Sequence, residues 1–405
     1  EDLEWLGVEV HSTVVQSDRF EIYYDMTLKL LEQGKAYVCT CDADRWRELK
    51  EKKCACPCRE LPPEVQLDRY DRFLDGEYAD GEAVTVIKTD LDHPNPAVRD
   101  FVALRLVSHP HPRVGTRYRA YPMMNLSVAV DDHMLGMTHV IRGKDHLNNT
   151  LRQEYIFDYF GWKKPAYHHY GLVNIPDTVL KTSLIRKCIS DGEYTGWDDV
   201  RTGTVRALER RGIRAEAVRR YWVESGMKAI DIQFSWDNLF AMNRDLVDGS
   251  SNRYFFVQDP VRYDIEGADS VTGHAPLHPD HPERGNRTYT VDGSKTVFIS
   301  ATDSALFKEA GMIRLKDLCN IEFGTPARYA GTDLSVLKKG IKAVQWVTRD
   351  SVPARILMPD GTAAEGLAEG LILEEKGETV QFERVGFARI ESVGREGLTA
   401  VFSHR

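Results

Sequence analysis

The chain has 405 residues, 42% of them hydrophobic and 10% aromatic, and carries a formal net charge of −9. Single cores rarely grow beyond roughly 250–300 residues, so two or more domains are expected. No window approaches the ~18 consecutive apolar residues of a membrane span and no basic-then-apolar leader opens the chain, so it reads as cytosolic with no membrane partner. The acidic balance argues against a protein that grips nucleic acid everywhere, because phosphate binding needs clustered Lys and Arg, but it leaves room for a local patch.

In chain order, the first residue is Glu1 rather than Met, and Glu1-Asp2-Leu3-Glu4-Trp5-Leu6 has helical apolar spacing. This predicts a fragment that begins inside a folded unit. A short strand is expected at Val8-Glu9-Val10, then an amphipathic helix through Phe20, Tyr23, Tyr24, Met26, Leu28, Leu30 and Leu31. Lys35-Ala36-Tyr37-Val38 reads as a strand leading into Cys39-Thr40-Cys41 and Cys54-Ala55-Cys56-Pro57-Cys58. In a cytosolic chain such close spacing reads as metal thiolates before disulfides. Reduced thiols without metal are the alternative, and the isolated Cys188 and Cys319 read as ordinary buried thiols. Up to about residue 118 a charged helix (Arg45 to Lys53), a strand (Ala83 to Lys88) and Pro-interrupted loops suggest an inserted module.

From Tyr121 to Gly192 the pattern becomes strand, helix, strand. Thr138-His139-Val140-Ile141 is expected to be a short buried strand, and Asn149 to Phe160 a helix with Leu151, Tyr155, Ile156 and Tyr159 on one face. Asp131-Asp132, Arg142-Gly143 and Asp145-His146 would then gather charge at a strand edge, where open α/β sheets bind ligands. An ordinary capped turn is the bland alternative. Val179-Leu180-Lys181-Thr182-Ser183, with Arg186 and Lys187, forms a basic, hydroxyl-bearing loop. A helical block from Trp197 to about Met242 holds Arg201, Arg206, Arg210, Arg211, Arg214, Arg219 and Arg220. That stretch reads either as a nucleic-acid patch or as a solvated face paired with Glu209 and Glu216. Beyond Tyr254, short strands such as Arg355 to Met358 and Thr379 to Glu383 alternate with turns at Asp292-Gly293, Pro359-Asp360-Gly361 and Lys376-Gly377, which favours barrels.

The long run Val130-Asp131-Asp132-His133 through Thr138-His139-Val140-Ile141-Arg142-Gly143-Lys144-Asp145-His146 and Asn149-Thr150-x-Arg152-Gln153 to Gly161-Trp162 resembles the second half of the catalytic domain in glutamyl-tRNA synthetases of the archaeal type. The resemblance implies a multi-domain α/β plus all-β chain. Residues 1–38 would be the remainder of the first half of a class I Rossmann-like domain, and 39–118 an inserted acceptor-binding module with a zinc site. Residues 119–192 would be the second Rossmann half with the nucleotide loop, 193–250 a helical stem-contact domain, and 251–405 two anticodon-binding β-barrels. The barrel motifs are His278-Pro279-x-x-Pro282-Glu283-Arg284-Gly285-x-Arg287, Val344 to Val347 and Phe382 to Phe387; bacterial glutamyl enzymes use a helical module instead. The His-Ile-Gly-His-like signature of the first half is absent, which again points to a fragment.

The resemblance also implies site residues. An Arg at the position of Arg142 faces the side-chain carboxylate of the bound amino acid, whereas glutamine-specific relatives carry uncharged residues there. Tyr121 and Met124 would belong to the same pocket, with Met124 standing where the family usually has tyrosine. Lys181, Thr182, Ser183 and Arg186 would form a degenerate Lys-Met-Ser-Lys-Ser-like loop on the ATP phosphates. Arg201, Arg206, Arg210 and Arg211 would contact tRNA. Cys39, Cys41, Cys56 and Cys58 would close around a structural zinc, leaving Cys54 spare. The implied reaction charges tRNA(Glu) with L-glutamate, using ATP and Mg²⁺, in a cytoplasmic monomer, and in some lineages extends to tRNA(Gln). A glutaminyl-tRNA synthetase and a non-catalytic tRNA-binding protein are the competing readings.

Overall fold

The computed structural model describes residues 1–405 apart from 268–269, 293–295, 376 and 395–396. The chain forms two compact units: Val10–Asn174 with Met227–Gln233, and Glu1–Glu9 with Ile175–Gly226 and Phe234–Arg405.

In the first of these, the apolar spacing after Phe20 produces helix α1 (Phe20–Glu32), which buries Phe20, Tyr23, Leu30 and Leu31. Gly34, at φ 67, turns the chain into β1 (Ala36–Cys39), a strand buried at every residue. Helix α2 (Ala43–Glu51) is capped by the Asp42 carboxylate and buries nothing, so the cap and its charged faces sustain it. Helix α3 (Pro63–Leu74) turns Tyr70 and Phe73 inward. Strands β2 (Val84–Ile87), β3 (Phe101–Leu106) and β4 (Ala120–Pro122) complete an antiparallel sheet in the order β1-β2-β3-β4. Its core is shared with helices α4 (Met124–Met134) and α5 (Leu147–Phe160) through Leu126, Val130, Ile156 and Phe157.

Helix α5 is the crossover between two parallel strands, β5 (His139–Gly143) and β6 (Ala166–Tyr170), in register from His139 opposite Ala166 to Gly143 opposite Tyr170. It ends at Gly161, whose φ of 65 needs no Cβ, and Trp162 then stacks on His133 at 3.9 Å.

Four local expectations change here. Val8 to Val10 is exposed and forms no strand. The strand expected to be buried at Thr138 to Ile141 forms one residue later and leaves Ile141 56% exposed, because within this unit it pairs with β6 alone. Helix α5 turns Thr150, Gln153, Ile156 and Phe157 inward and leaves Leu151 exposed. An apolar-only count misplaces that face because two of its inward residues are polar and find partners inside. Asp131 and Asp132 lie on α4, not at a strand edge.

The other unit holds a one-turn helix at Asp2–Trp5, where helical spacing was expected, and then helix α6 (Thr182–Ser190), α7 (Val205–Arg210, capped by Thr204), α8 (Ala215–Ser225) and α9 (Trp236–Val247, capped by Ser235). Two barrel-like sheets follow. One has seven strands whose edges, Arg253–Tyr254 and Phe256–Gln258, are neighbours in sequence, so it nearly closes on itself around Ile356, Phe382 and Ile390. The second has six strands, and a bridge from Val347 to Phe298 draws its ends together around Phe255, Phe307 and Trp346. The strands expected near Arg355 and Thr379 form as Val352–Leu357 and Thr379–Phe382. Gly361 makes its expected turn at φ 86, while Gly293 and Lys376 of the other two turns lie outside the described residues. Among the described residues no helix is long and apolar enough to cross a membrane.

Candidate functional site

Arg142 projects from the C-terminal end of β5, directly opposite His169 of β6. Its Nη1 donates to Gln153 Oε1 at 2.9 Å and its Nη2 donates to Thr150 Oγ1, while the guanidinium lies 4.8 Å from the Tyr167 ring centroid. Thr150 Oγ1 is also 2.8 Å from His169 Nε2. Arg142 Nε, Asp132 Oδ2, Tyr167 OH and Gln153 Nε2 are all buried with no hydrogen-bond partner among the described residues.

The electrostatics follow from burial. It lowers the Arg142 guanidinium from its usual value, opposed by Tyr167 and Asp132. Burial raises the Asp132 carboxyl, with Arg142 pulling against it, and pushes the Tyr167 phenol up to about 12. A guanidinium with free N–H groups in a half-desolvated nest is matched to a planar anion such as a carboxylate.

Tyr121 lies on β4 and turns its ring edge-on to Phe20, 5.3 Å away, with its hydroxyl buried and unpartnered among the described residues. Met124 opens α4 and is exposed. No hydrogen bond joins Tyr121 to Arg142 among the described residues.

The cysteines come together at the end of β1. Cys39 Sγ is 3.8 Å from Cys56 Sγ, Cys41 Sγ is 3.8 Å from Cys58 Sγ, and Cys39, Cys41 and Cys56 all lie within 4.8 Å of one another. Four thiolates at ~2.3 Å from a tetrahedral zinc sit about 3.8 Å apart, a spacing that both facing pairs match, while Cys39, Cys41 and Cys56 are the ones that all gather within 4.8 Å of one another. Arg69 Nη1 approaches Cys58 Sγ at 3.3 Å. Cys54 is exposed and directs its thiol to the Lys52 carbonyl.

In the other unit, Lys181 is the N-cap residue of α6 and Thr182 and Ser183 form its first turn. Ile185 and Cys188 are buried and fix the helix, while Lys181, Thr182, Ser183 and Arg186 are exposed. None of these four side chains has a hydrogen bond or ion pair among the described residues. The loop before them is bridged to the next segment between Val179 and Thr202, where a Cβ on Gly203 would meet Thr178 Cγ2 at 2.5 Å.

The arginine-rich stretch is not one free basic face. Arg201 is held by Asp199 through bonds of 2.8 and 2.7 Å and lies 4.4 Å from the Tyr194 ring centroid. Burial favours a raised Asp199 pKa, but Arg201 and the backbone amides of Thr195 and Arg201 hold that carboxyl well below the usual range. Arg206 pairs with Glu1 and Asp2, and Arg210 with Glu391 at 2.6 Å. Arg211 is buried, donates to the Ser403 carbonyl at 2.9 Å, and packs over Trp236 and Phe240. Burial lowers its pKa to about 10. These acidic partners are not Glu209 and Glu216, and several are remote in sequence.

Residues 1–248 match the family described as tRNA synthetases class I (E and Q), catalytic domain, and residues 251–334 match the corresponding anti-codon binding domain. The chain belongs to this class I synthetase family. It is 51% identical over 410 residues to a glutamate–tRNA ligase of Methanocorpusculum labreanum, covering 100% of this chain and 72% of that protein. It is 47% identical over 416 residues to that of Thermococcus kodakarensis and 49% identical over 413 residues to that of Methanoculleus marisnigri, again covering 100% of this chain and 72% of each relative.

Arg142 was the visible part of this synthetase's charged nest. Asp132 was expected among the charges near Arg142, though at a strand edge rather than on α4, whereas Thr150, Gln153, Tyr167 and His169 carried no expectation of their own. One signal for two of them was available: Thr150, Gln153 and Phe157 share one face of a helix, and buried polar residues on such a face need partners.

Proposed function

We propose that this synthetase activates L-glutamate with ATP and transfers it to the 3′ end of tRNA(Glu), acting as a cytoplasmic monomer. The observation that carries the reading is the near-half identity, across the whole chain, to glutamate–tRNA ligases of several archaea. In the first step the amino acid's α-carboxylate attacks the α-phosphorus of ATP and pyrophosphate leaves. In the second, a hydroxyl of the terminal adenosine attacks the adenylate's carbonyl and AMP leaves. Positioning and charge stabilisation suffice for both, and no covalent side-chain nucleophile is required.

Each part of the chain is assigned its role by its own chemistry. Arg142 takes the substrate's side-chain carboxylate with the N–H groups its protein partners leave free, and Tyr121 and Met124 border that pocket. An amide substrate would set N–H against N–H, which disfavours the glutaminyl reading. Lys181, Thr182, Ser183 and Arg186, exposed and unpaired, are free to meet ATP phosphates, and Mg²⁺ would arrive with those phosphates. Cys39, Cys41, Cys56 and Cys58 would hold zinc, which supplies a cross-link between β1 and the loop before α3 rather than a reactive centre. Arg201, Arg206 and Arg210 would meet tRNA by exchanging acid partners for phosphates, with the buried Arg211 as their support. The domain division at 38, 118, 192 and 250 stands as part of the same proposal, as does extension to tRNA(Gln).

Aminoacylation assays with both amino acids and both tRNAs test it. Glutamate should be charged and glutamine should not, and Arg142→Ala should lose glutamate. Equal charging of both amino acids, or an unaffected Arg142→Ala variant, would sink the proposal.

A further inference from the structure

The nest around Arg142 holds its guanidinium by two neutral oxygens, Gln153 Oε1 and Thr150 Oγ1, which lie on the buried face of α5 about one turn apart. Gln153 is 0% exposed and Thr150 6%. The contacts take one N–H from each terminal nitrogen, the Tyr167 ring covers one face, and Nε stays buried and unpartnered among the described residues. The Gln153 amide must turn its oxygen to Arg142, because its NH₂ would oppose donor with donor. That orientation leaves Gln153 Nε2 buried without a partner among the described residues, an arrangement that stability alone does not favour. Thr150 is fixed in turn by His169 Nε2, and burial, with Arg142 adding to it, keeps that imidazole inclined to its neutral form, able to accept the Thr150 proton. Thr150 Oγ1 then has lone pairs free for Arg142.

We infer that Gln153 and Thr150 are positioning residues that aim Arg142 through neutral contacts, with the nearby Asp132 carboxyl making no hydrogen bond to it among the described residues, so that choosing glutamate over glutamine depends on two side chains beneath the arginine. The inference rests on the reading that Arg142 meets the substrate carboxylate. A carboxylate at position 153 would hold the guanidinium equally well but would already neutralise it, and substrate would then compete with an internal anion.

The test is steady-state aminoacylation by the full chain, with glutamate and with glutamine. Gln153→Met and Thr150→Val are each expected to raise KM for glutamate about tenfold, equivalent to ~1.4 kcal/mol, while KM for ATP stays within about twofold. The glutamate-to-glutamine preference should narrow in both. Thr150→Ser keeps the hydroxyl and should stay near the parent, and Gln153→Glu should weaken glutamate at least as much as Gln153→Met. Parallel rises in KM for glutamate and ATP, identical behaviour of Thr150→Val and Thr150→Ser, or undiminished glutamate use by Gln153→Glu would each overturn the inference. Near-UV circular dichroism checks folding, and if Gln153→Met does not fold the two Thr150 variants decide. Arg142→Ala separates the layers: if it leaves KM for glutamate unchanged, the underlying reading falls. If it abolishes the preference while Gln153→Met and Thr150→Val preserve it, only the positioning role falls.

Discussion

The Tyr23 hydroxyl donates to Asp131 Oδ2 at 2.6 Å, tying α1 to α4 across 108 residues of sequence. The other oxygen of the same carboxylate accepts from Arg19 Nε at 2.9 Å, so Asp131 joins a buried phenol to a cation. Tyr23→Phe removes one bond and leaves Asp131 paired with Arg19, and should lower stability by about 1–2 kcal/mol. Asp131→Ala strands both donors and should cost about 2–4 kcal/mol. Urea denaturation of the two variants checks this order, and a larger loss from Tyr23→Phe would mean that the carboxylate is not the hub.

Zinc content should follow the geometry of the four sulfurs rather than the cysteine count. Cys56→Ser and Cys58→Ser each break one of the two facing pairs and should release the metal, whereas Cys54→Ser should retain one zinc per chain. Chelation of the parent should lower the melting temperature of the unit that contains β1, because ion and fold are coupled. Metal analysis that finds zinc kept by Cys58→Ser but lost from Cys54→Ser would replace Cys58 in the ligand set.

Asp199 supplies a pH signature. Its folded-state carboxyl is held below the unfolded value, so its contribution is fully present above the unfolded pKa of roughly 4 and is lost as pH falls toward the folded one. Stability should therefore fall between about pH 5 and pH 2, and Asp199→Asn should flatten that slope while lowering stability at pH 7. A slope unchanged in Asp199→Asn would assign the acid sensitivity to other carboxylates.

The elements with a strong local signal were legible in the sequence. The apolar spacing from Phe20 to Leu31 and the Cys-x-Cys pairs needed no partner to be recognised, and the repeated short strands announced barrels. What failed depended on contacts far along the chain. Ile141 sits in an exposed strand because of how few neighbours β5 has, and the inward face of α5 is set by Arg142 reaching Thr150 and Gln153. Local charge patterning likewise offered Glu209 and Glu216 to the arginines, whereas the fold supplies Glu391 to Arg210 and buries Arg211 beneath aromatic rings. Helical periodicity reports which residues share a face; it does not report which polar groups are satisfied inside.

The barrel region offers the largest expected stability effect. Arg287 is 1% exposed, and its two terminal nitrogens donate to Glu369 Oε2 at 2.6 Å and to Glu383 Oε1 at 3.1 Å. Glu369 Oε2 also accepts the Phe255 amide at 2.6 Å, so one buried carboxylate holds both a guanidinium and a backbone group. Removing one member of such a pair leaves a buried charge without compensation, which typically costs 3–5 kcal/mol, more than the pair itself contributes relative to apolar residues. Glu369→Ala should therefore destabilise by about 3–5 kcal/mol. Glu383→Ala should cost less, because Glu383 is only partly buried and Glu369 still faces Arg287. If the two bonds act as one network, the double variant Arg287→Met/Glu369→Leu should recover part of the loss seen in Glu369→Ala, since no orphaned charge remains. Chemical denaturation of the three variants reads the order directly, and a double variant less stable than Glu369→Ala would show that packing around Arg287, rather than its charge, holds this region together.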